Sequence, residues 1–178
     1  MNEPRPTVTF RVSVPSLASR EAVYGLLANV ATHLDWAGTD ASRSDFRLLS
    51  IDASDRPAGV GDRFSSTGAS MNGTFHDRST VIEAEPGVRF GFDTESTLDR
   101  KHGTTWHARV AHRYAIDDAD EGVTISYTCE IRPQNYVPYW WKPAMRPMTR
   151  FMVRRFMRSN LENLAEAALA VSSEPAGG

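Results

Sequence analysis

The sequence predicts an α+β fold in which a curved antiparallel β-sheet of about seven strands wraps around a long C-terminal helix. Three features predict it. One alternating strand precedes two short helical segments, about six strand segments follow with short turns between them, and residues 147–171 show helical periodicity. Strands joined by short turns pair antiparallel, and a sheet with helices on one side is an α+β architecture. Glycines interrupt the strands, so we expect the sheet to curl around the last helix.

The N-terminal elements are predicted from local patterns. Residues 7–14 alternate between apolar and polar side chains, which is typical of a half-buried strand. A helix is predicted from about residue 20, with Ser19 as its N-cap. The segment ATHLDWAG predicts a second, short helix that ends at Gly38.

The middle of the chain is rich in β-branched and aromatic residues and is divided by turn segments such as RPAGVG, EPG and DDADEG. Glycine, proline and aspartate favour tight turns, so these segments indicate strand boundaries. The predicted strands span residues 44–53, 60–67, 74–85, 88–96, 105–116 and 122–132.

The last helix is predicted over about 147–171, with Pro147 at its first position. Apolar residues recur at three- and four-residue steps along it. They are Val153, Phe156, Met157, Leu161, Leu164 and Ala168. On the opposite side Arg158 and Glu162 are spaced for an i,i+4 ion pair.

Composition restricts the class of protein. The 178 residues are 40% hydrophobic and 24% charged, which predicts one globular domain over 1–171 followed by a flexible tail, 172–178. No run approaches the ~20 apolar residues of a membrane helix, so we expect no membrane insertion. The N-terminus lacks an apolar signal core, which favours a cytoplasmic location. A single cysteine excludes an internal disulfide and a cysteine zinc cage, and we expect neither a metal nor a cofactor.

Charge is unevenly distributed along the chain. The net charge of −2 predicts no general attraction to nucleic acid or to an anionic membrane. Residues 142–158, however, carry six basic side chains and no acid. This block is either a phosphate-binding patch or a solvated helix face, and the second interpretation is favoured.

Several phrases, in order, resemble the START/SRPBCC superfamily, the helix-grip proteins that include birch-pollen-allergen-like proteins and bacterial polyketide cyclases. They are REAVYGLLANVATHLDW, GVGDRF, STVIEAEPGVRFGF and RFMRSNLENLAEAAL, and the likeness covers about residues 7–170. Trp36 matches the tryptophan of the family's opening helix pair, and Gly59 and Gly61 match its GxG turn. The resemblance implies a cavity between the sheet and the last helix. It implies no single chemistry, since members include carriers, receptors, cyclases and dehydratases.

Strand alternation predicts which side chains face this cavity. In residues 105–116 His112 and Tyr114 share the inward face with apolar neighbours. Residues 74–81 stay ambiguous: simple alternation places His76 and Arg78 inside, whereas a bulge near Val81 brings Phe75 and Asp77 in instead. The predicted ligand-binding residues are Trp36, Phe64, His76, Phe90, Phe92, Trp106, Val110, Tyr127, Cys129, Thr149, Met152 and Phe156.

His112 is the candidate acid/base residue, because a histidine in an apolar pocket suits enolisation and dehydration. Tyr114, Asn160 or Arg78 would then hold a substrate carbonyl. Asn160, like Thr149, is a polar residue within the apolar stripe of the last helix, where it needs a partner. The alternative is a structural histidine bonded to Tyr127 or Asn160.

We therefore expect a protein that encloses a small hydrophobic molecule of polyketide, aromatic or lipid type. It is either a cofactor-independent cyclase or dehydratase, or a non-catalytic carrier or sensor of a lipid, quinone or aromatic metabolite. A third hypothesis is an interaction module that uses the basic, aromatic region 136–158. The cluster of Tyr136, Tyr139, Trp140 and Trp141 predicts either a lid or a dimer contact, so monomer and homodimer both stay open.

Overall fold

The elements follow the predicted order along the described residues, which in this computed structural model are 7–37, 46–70, 73–101, 103–135 and 146–173. A single turn of 3-10 helix, Val30–Thr32, joins the first two helices. The helices are α1 (Arg20–Ala28), α2 (His33–Trp36) and α3 (Arg146–Ser173). The strands are β1 (Val8–Ser16), β2 (Phe46–Asp52), β3 (Arg63–Ser70), β4 (Gly73–Glu85), β5 (Arg89–Arg100), β6 (Thr105–Asp118) and β7 (Val123–Pro133).

The seven strands form one antiparallel sheet in the order β1-β7-β6-β5-β4-β3-β2. From β2 to β7 each strand pairs with its predecessor, as short turns require. The first strand instead pairs with the last, with Val8 opposite Ile131 and Ser16 opposite Val123. The chain segment that contains α1 and α2 therefore leads from one edge of the sheet to the other.

Helix α3 lies across the inner face of the sheet, but it is seated mainly at the edges. Its extensive contacts in the described chain are with β1 and α1, and those with the central strands β4, β5 and β6 are marginal at most. At the opposite edge the rings of Phe156 in α3 and Phe46 in β2 meet edge to face at 5.7 Å. From this arrangement, with the helix held at both edges of a curved sheet, we infer a groove over the central strands.

Strand β4 contains the bulge that decides the facing of residues 74–81. Its register with β5 shifts between Val81 and Glu83: Val81 faces Phe92 across the ladder, and Glu83 faces Gly91. Asp77 therefore points to the inner face, and the inward placement of His76 and Arg78 is wrong. The extra residue of a bulge reverses the alternation of inward and outward side chains. The inward positions deduced by alternation back from Glu83 are therefore not valid for the residues before Val81.

Two element boundaries have clear local causes. The Ser19 hydroxyl accepts a hydrogen bond from the Ala22 N–H at 3.2 Å, which confirms Ser19 as the N-cap of α1. Strand β3 starts at Arg63 rather than at residue 60, because a turn precedes it. There the Asp62 carboxylate accepts from the Gly59 N–H at 2.8 Å, and Gly61 has φ +92°. A positive φ of this kind is readily adopted by glycine.

Helix α3 follows the predicted apolar stripe, with Met157, Leu161, Leu164 and Ala168 buried. The predicted ion pair between Arg158 and Glu162 is not among the salt bridges of the described residues. The aromatic segment Tyr136, Tyr139, Trp140 and Trp141 lies outside the described residues. No described helix is long and apolar enough to cross a membrane.

Candidate functional site

The candidate site is the groove between the central strands and α3. Several side chains on the inner face of the sheet stay only half-buried although strands flank them on both sides. Incomplete cover at the centre of a sheet, together with the edge seating of α3, indicates accessible space above them. The half-buried side chains are Phe64 on β3, Val110 and His112 on β6, and Tyr127 and Ile131 on β7.

His112 lies on the floor of this groove and is held by its neighbours. Its Nδ1 is 2.6 Å from the Tyr127 hydroxyl, and its ring stacks on Phe92 at a centroid distance of 4.5 Å. Burial, assisted by the positive charge of Arg113, lowers the pKa of His112 to about 3. The imidazole is therefore neutral at neutral pH, with one ring nitrogen engaged by a phenol.

The hydrogen-bonded group continues below His112. The Tyr127 hydroxyl also interacts with the hydroxyl of Tyr114 and the thiol of Cys129, and the two tyrosine rings stack at 4.5 Å. Burial raises the pKa of both tyrosines above the usual range and raises the pKa of Cys129 to about 12. His112, the two tyrosines and Cys129 therefore all stay uncharged near neutrality. The result is a chain of exchangeable protons that begins at Tyr114 and ends at the groove.

A second buried histidine supports the wall of the site. His33 in α2 is held through Nε2 to the Leu27 carbonyl at 2.9 Å, and burial lowers its pKa to about 4. Its ring lies 4.6 Å from that of Trp36, which meets Tyr114 edge to face at 6.5 Å. Sequence patterns did not single out His33, because α2 has only four residues and too short a span for helical periodicity.

The other half of the inner face is more polar. The hydroxyls of Ser79 and Thr94 lie 2.8 Å apart and are both buried. One residue pair further along, the Ser96 hydroxyl donates to the Asp77 carboxylate, and burial raises the pKa of that carboxyl. In the described chain the second oxygen, Asp77 Oδ1, is buried without a hydrogen-bond partner. Only the bulge hypothesis would have pointed to Asp77.

The structure brings together part of the predicted site. Phe92, Tyr127 and Cys129 surround His112, and Tyr114 is buried directly beneath Tyr127. Thr149, Phe156 and Asn160 are half-buried on α3.

Other predicted residues lie elsewhere. Phe90 and Trp36 belong to the closely packed core, and Trp106 packs in a separate small cluster with Leu98 and Ala108. Met152 is 51% exposed on the outer side of α3, so its placement in the site is wrong. Helical rotation explains this, because Met152 lies on the opposite side of the helix from Met157 and Leu161.

Arg78 and His76 are exposed on the outer face of the sheet. There Arg78 stands between Ser65 of β3 and Glu95 of β5. It lines an open trough of about 1110 Å³ together with other charged residues of that face, such as Asp93, Arg109 and Arg132. Arg78 is therefore separated by the sheet from His112, and it cannot hold a carbonyl in the groove.

An antiparallel sheet that grips a C-terminal helix, with two short helices after the first strand, is the helix-grip fold of the START/SRPBCC superfamily. Solved structures share it. An uncharacterized protein from Rhizobium leguminosarum is 14% identical with a TM-score of 0.62, over 93% of this chain and 96% of that chain. Ara h 8.0201 is 11% identical with a TM-score of 0.60, over 93% of this chain and 99% of that chain. TTHA0849 from Thermus thermophilus is 20% identical with a TM-score of 0.58, over 94% of this chain and 100% of that chain. Identities this low show the fold alone.

Sequence similarity identifies the family. The family model described as polyketide cyclase / dehydrase and lipid transport matches residues 7–168, and the chain belongs to this family. No curated protein sequence matches the chain. Both the fold and the family are consistent with the binding of a hydrophobic ligand.

Proposed function

We propose that this protein binds a small hydrophobic molecule of polyketide, aromatic or lipid type in the groove, with His112 as its polar contact. The observation that carries the proposal is the position of His112. It is a half-buried, neutral imidazole stacked on Phe92, on the inner face of the central strands where we infer the groove. An apolar pocket with few, well-held polar groups is the usual form of a small-molecule site.

The hydrogen bond to Tyr127 suggests what His112 offers a ligand. If the Tyr127 hydroxyl donates to Nδ1, the neutral ring carries its proton on Nε2. That N–H is then a donor for a ligand carbonyl. A pKa of about 3 makes His112 a weak base at neutral pH, because general bases work best with a pKa near the working pH. We therefore assign His112 primarily as a neutral hydrogen-bond donor to the ligand, and not as a base.

A cyclase or dehydratase activity is compatible with this assignment. A neutral histidine that donates a hydrogen bond to a carbonyl stabilises the enolate that forms when water takes the proton of a neighbouring C–H. If the enolate oxygen then takes the proton of His112 Nε2, the Tyr127 hydroxyl can give its proton to Nδ1, and the hydronium formed in the first step returns a proton to the tyrosines. Asn160, half-buried on α3, is the proposed second contact to the same oxygen.

A non-catalytic carrier or sensor is the second candidate function. The observation that favours it is that the hydroxyls of Tyr114 and Tyr127 and the thiol of Cys129 already interact with one another. A chain satisfied in this way needs no substrate to complete it. In a carrier, the same group would only orient the ligand.

Native mass spectrometry of freshly purified protein tests the binding proposal by detecting a retained small molecule. Uptake of the uncharged dye N-phenyl-1-naphthylamine gives a second test of the groove. Protein that retains no molecule and takes up no dye would contradict the proposal.

The variant His112→Gln separates the two functions, since glutamine keeps polarity but exchanges no proton near neutrality. An enzyme that uses the proton chain should lose on the order of 10²-fold or more in turnover of the retained molecule, with little loss of affinity. A carrier should lose only affinity. Arg109→Gln, on the exposed outer face, is the matched control and should change neither.

A further inference from the structure

The first half of α3 carries an unbalanced positive charge. Segment 142–158 has six basic residues and no acid, whereas the rest of the chain has 14 basic and 22 acidic residues. The four arginines of this segment whose side chains the structure describes are called the basic cluster here. They are Arg150, Arg154, Arg155 and Arg158.

Nothing in the described chain neutralises the basic cluster. None of its arginines forms an ion pair with a described carboxylate. Arg150, Arg154 and Arg158 stand at successive i,i+4 positions, a spacing at which like charges destabilise a helix. The first turn of α3 has no acidic residue either. The cluster therefore costs the folded protein stability, and an external anion would relieve that cost.

Large apolar side chains are exposed beside the basic cluster. Met148, Phe151 and Met152 are 52%, 67% and 51% exposed, and we call them the apolar triad. Helical spacing places the triad on one side of α3, with Arg155 one turn further along that side. Exposed apolar groups next to arginines are typical of helices that lie in the interface of an anionic bilayer.

A cleft adjoins this surface on the side of the sheet. It measures about 770 Å³ and lies between the first half of α3 and the edge strand β1. Strand β1 contributes a further arginine, Arg11, which donates from Nε to the Thr128 hydroxyl at 3.2 Å. Phe151 lines the same cleft. Positive charge and apolar surface thus meet in one concavity of a size that admits a lipid phosphate.

We propose that the basic cluster, Arg11 and the apolar triad form a docking surface for an anionic lipid bilayer. Arginines bind the phosphates of the headgroups, and the triad enters the boundary between headgroups and acyl chains. Duplex nucleic acid would match the arginines but would not bury Met148, Phe151 and Met152. This inference does not depend on the proposed function, because it concerns the outer side of α3 and not the groove.

Vesicle co-sedimentation of the full chain tests the proposal. We expect binding to vesicles of equal parts phosphatidylcholine and phosphatidylglycerol, little binding to phosphatidylcholine alone, and weaker binding as salt rises. The triple variant Arg150→Gln, Arg154→Gln, Arg158→Gln should bind on the order of 100-fold more weakly, because each basic residue near an anionic leaflet is worth about a factor of five.

A matched control has the same change in net charge at a different place. It is the triple variant Arg89→Gln, Arg109→Gln, Arg132→Gln, whose arginines are exposed on the outer face of the sheet. It should keep most of the vesicle binding. Phe151→Ser should weaken binding, and Leu169→Ser, the same kind of apolar-to-polar change at an exposed position near the other end of α3, should not.

Four results would overturn the proposal. The first is absence of binding to the anionic vesicles by the folded wild type, and the second is equal loss in both arginine triples. The third is binding to a DNA duplex that depends on the basic cluster and ignores Phe151→Ser. The fourth is a dimer in sedimentation velocity that both the triple variant of the basic cluster and Phe151→Ser dissociate, without vesicle binding, which would assign the surface to a second copy. Dye uptake by the groove would persist in each case, so failure here is distinguishable from failure of the proposed function.

Discussion

His112 and Tyr127 are diagonal neighbours on adjacent strands. Directly across the ladder from β6 to β7, His112 faces Cys129, and Tyr127 faces Tyr114. The hydrogen bond between His112 Nδ1 and the Tyr127 hydroxyl, 2.6 Å long, therefore crosses diagonally between two residue pairs. Long aromatic side chains can reach this far across a sheet. The diagonal bond joins two successive pairs of inner-face side chains into one hydrogen-bonded group.

Removal of the Tyr127 hydroxyl should show how much that hydrogen bond contributes to the free energy of unfolding. Tyr127→Phe leaves His112 Nδ1 and the Tyr114 hydroxyl without their partner in a buried setting, which costs about 1–3 kcal/mol for an unsatisfied group. We expect a fall of this order in the free energy of urea unfolding. Tyr24→Phe on α1 is the control and should cost clearly less, since the Tyr24 hydroxyl forms no hydrogen bond within the part of the chain that the structure describes. Equal losses would show that the His112–Tyr127 bond adds nothing to stability.

Stability should depend on pH through the two buried histidines. In the unfolded chain both have a pKa near 6.5, whereas in the folded protein the pKa is about 4 for His33 and about 3 for His112. Between these values the unfolded state binds more protons. Stability is therefore fully present above about pH 6.5 and falls as the pH drops towards 4, by about 1.4 kcal/mol per unit for each histidine.

Thermal unfolding at a series of pH values measures this slope. His112→Gln should flatten it by about half, because one of the two histidines no longer titrates. Thr104→Ala, at an exposed position just before β6, is the control, because it removes no titratable group, and it should leave the slope unchanged. If His112→Gln leaves the slope as steep as in the wild type, the imidazole of His112 is not buried in the neutral form.

The volume of the groove can be probed from α3. Phe156 is half-buried and contacts Phe46 at the far edge of the sheet, so Phe156→Trp adds bulk where the helix spans the groove. We expect weaker fluorescence enhancement of N-phenyl-1-naphthylamine. Arg155→Ala, on the exposed side of α3, should leave it unchanged. The same effect from both variants would contradict the assignment of faces on α3.

Substitution by alanine should change the stability of the protein in opposite directions at two glycines. A Cβ at Gly122, which has φ +72°, would lie 2.1 Å from the Ser16 carbonyl oxygen. A Cβ at Gly25, on the exposed side of α1, meets nothing within 4 Å. Gly122→Ala should therefore destabilise the protein markedly, whereas Gly25→Ala should stabilise it by about 0.5–1 kcal/mol by favouring the helix. Thermal unfolding of both variants checks the pair, and a stabilising Gly122→Ala would contradict the tight approach of the turn to β1.

The sequence by itself predicted the helix-grip fold and much of the inner face. Strands β6 and β7 alternate without interruption, so His112, Tyr114, Tyr127 and Cys129 could be placed inward by a two-residue period. The capping hydroxyl of Ser19 acts within one turn and was equally predictable. These features are local, because each depends on residues only a few positions apart.

Other features were decided only by the tertiary structure. The bulge after Val81 depends on how β4 pairs with β5, and it moved Arg78 out and Asp77 in. The partner of His112 was left open between Tyr127 and Asn160, since that choice depends on the register of two strands and on the distance of α3 from the sheet. The groove is inferred from the contacts that hold α3 at the sheet edges, with β1 and Phe46, and beside α1. Such contacts join residues far apart in sequence, and no local period encodes the distance between them.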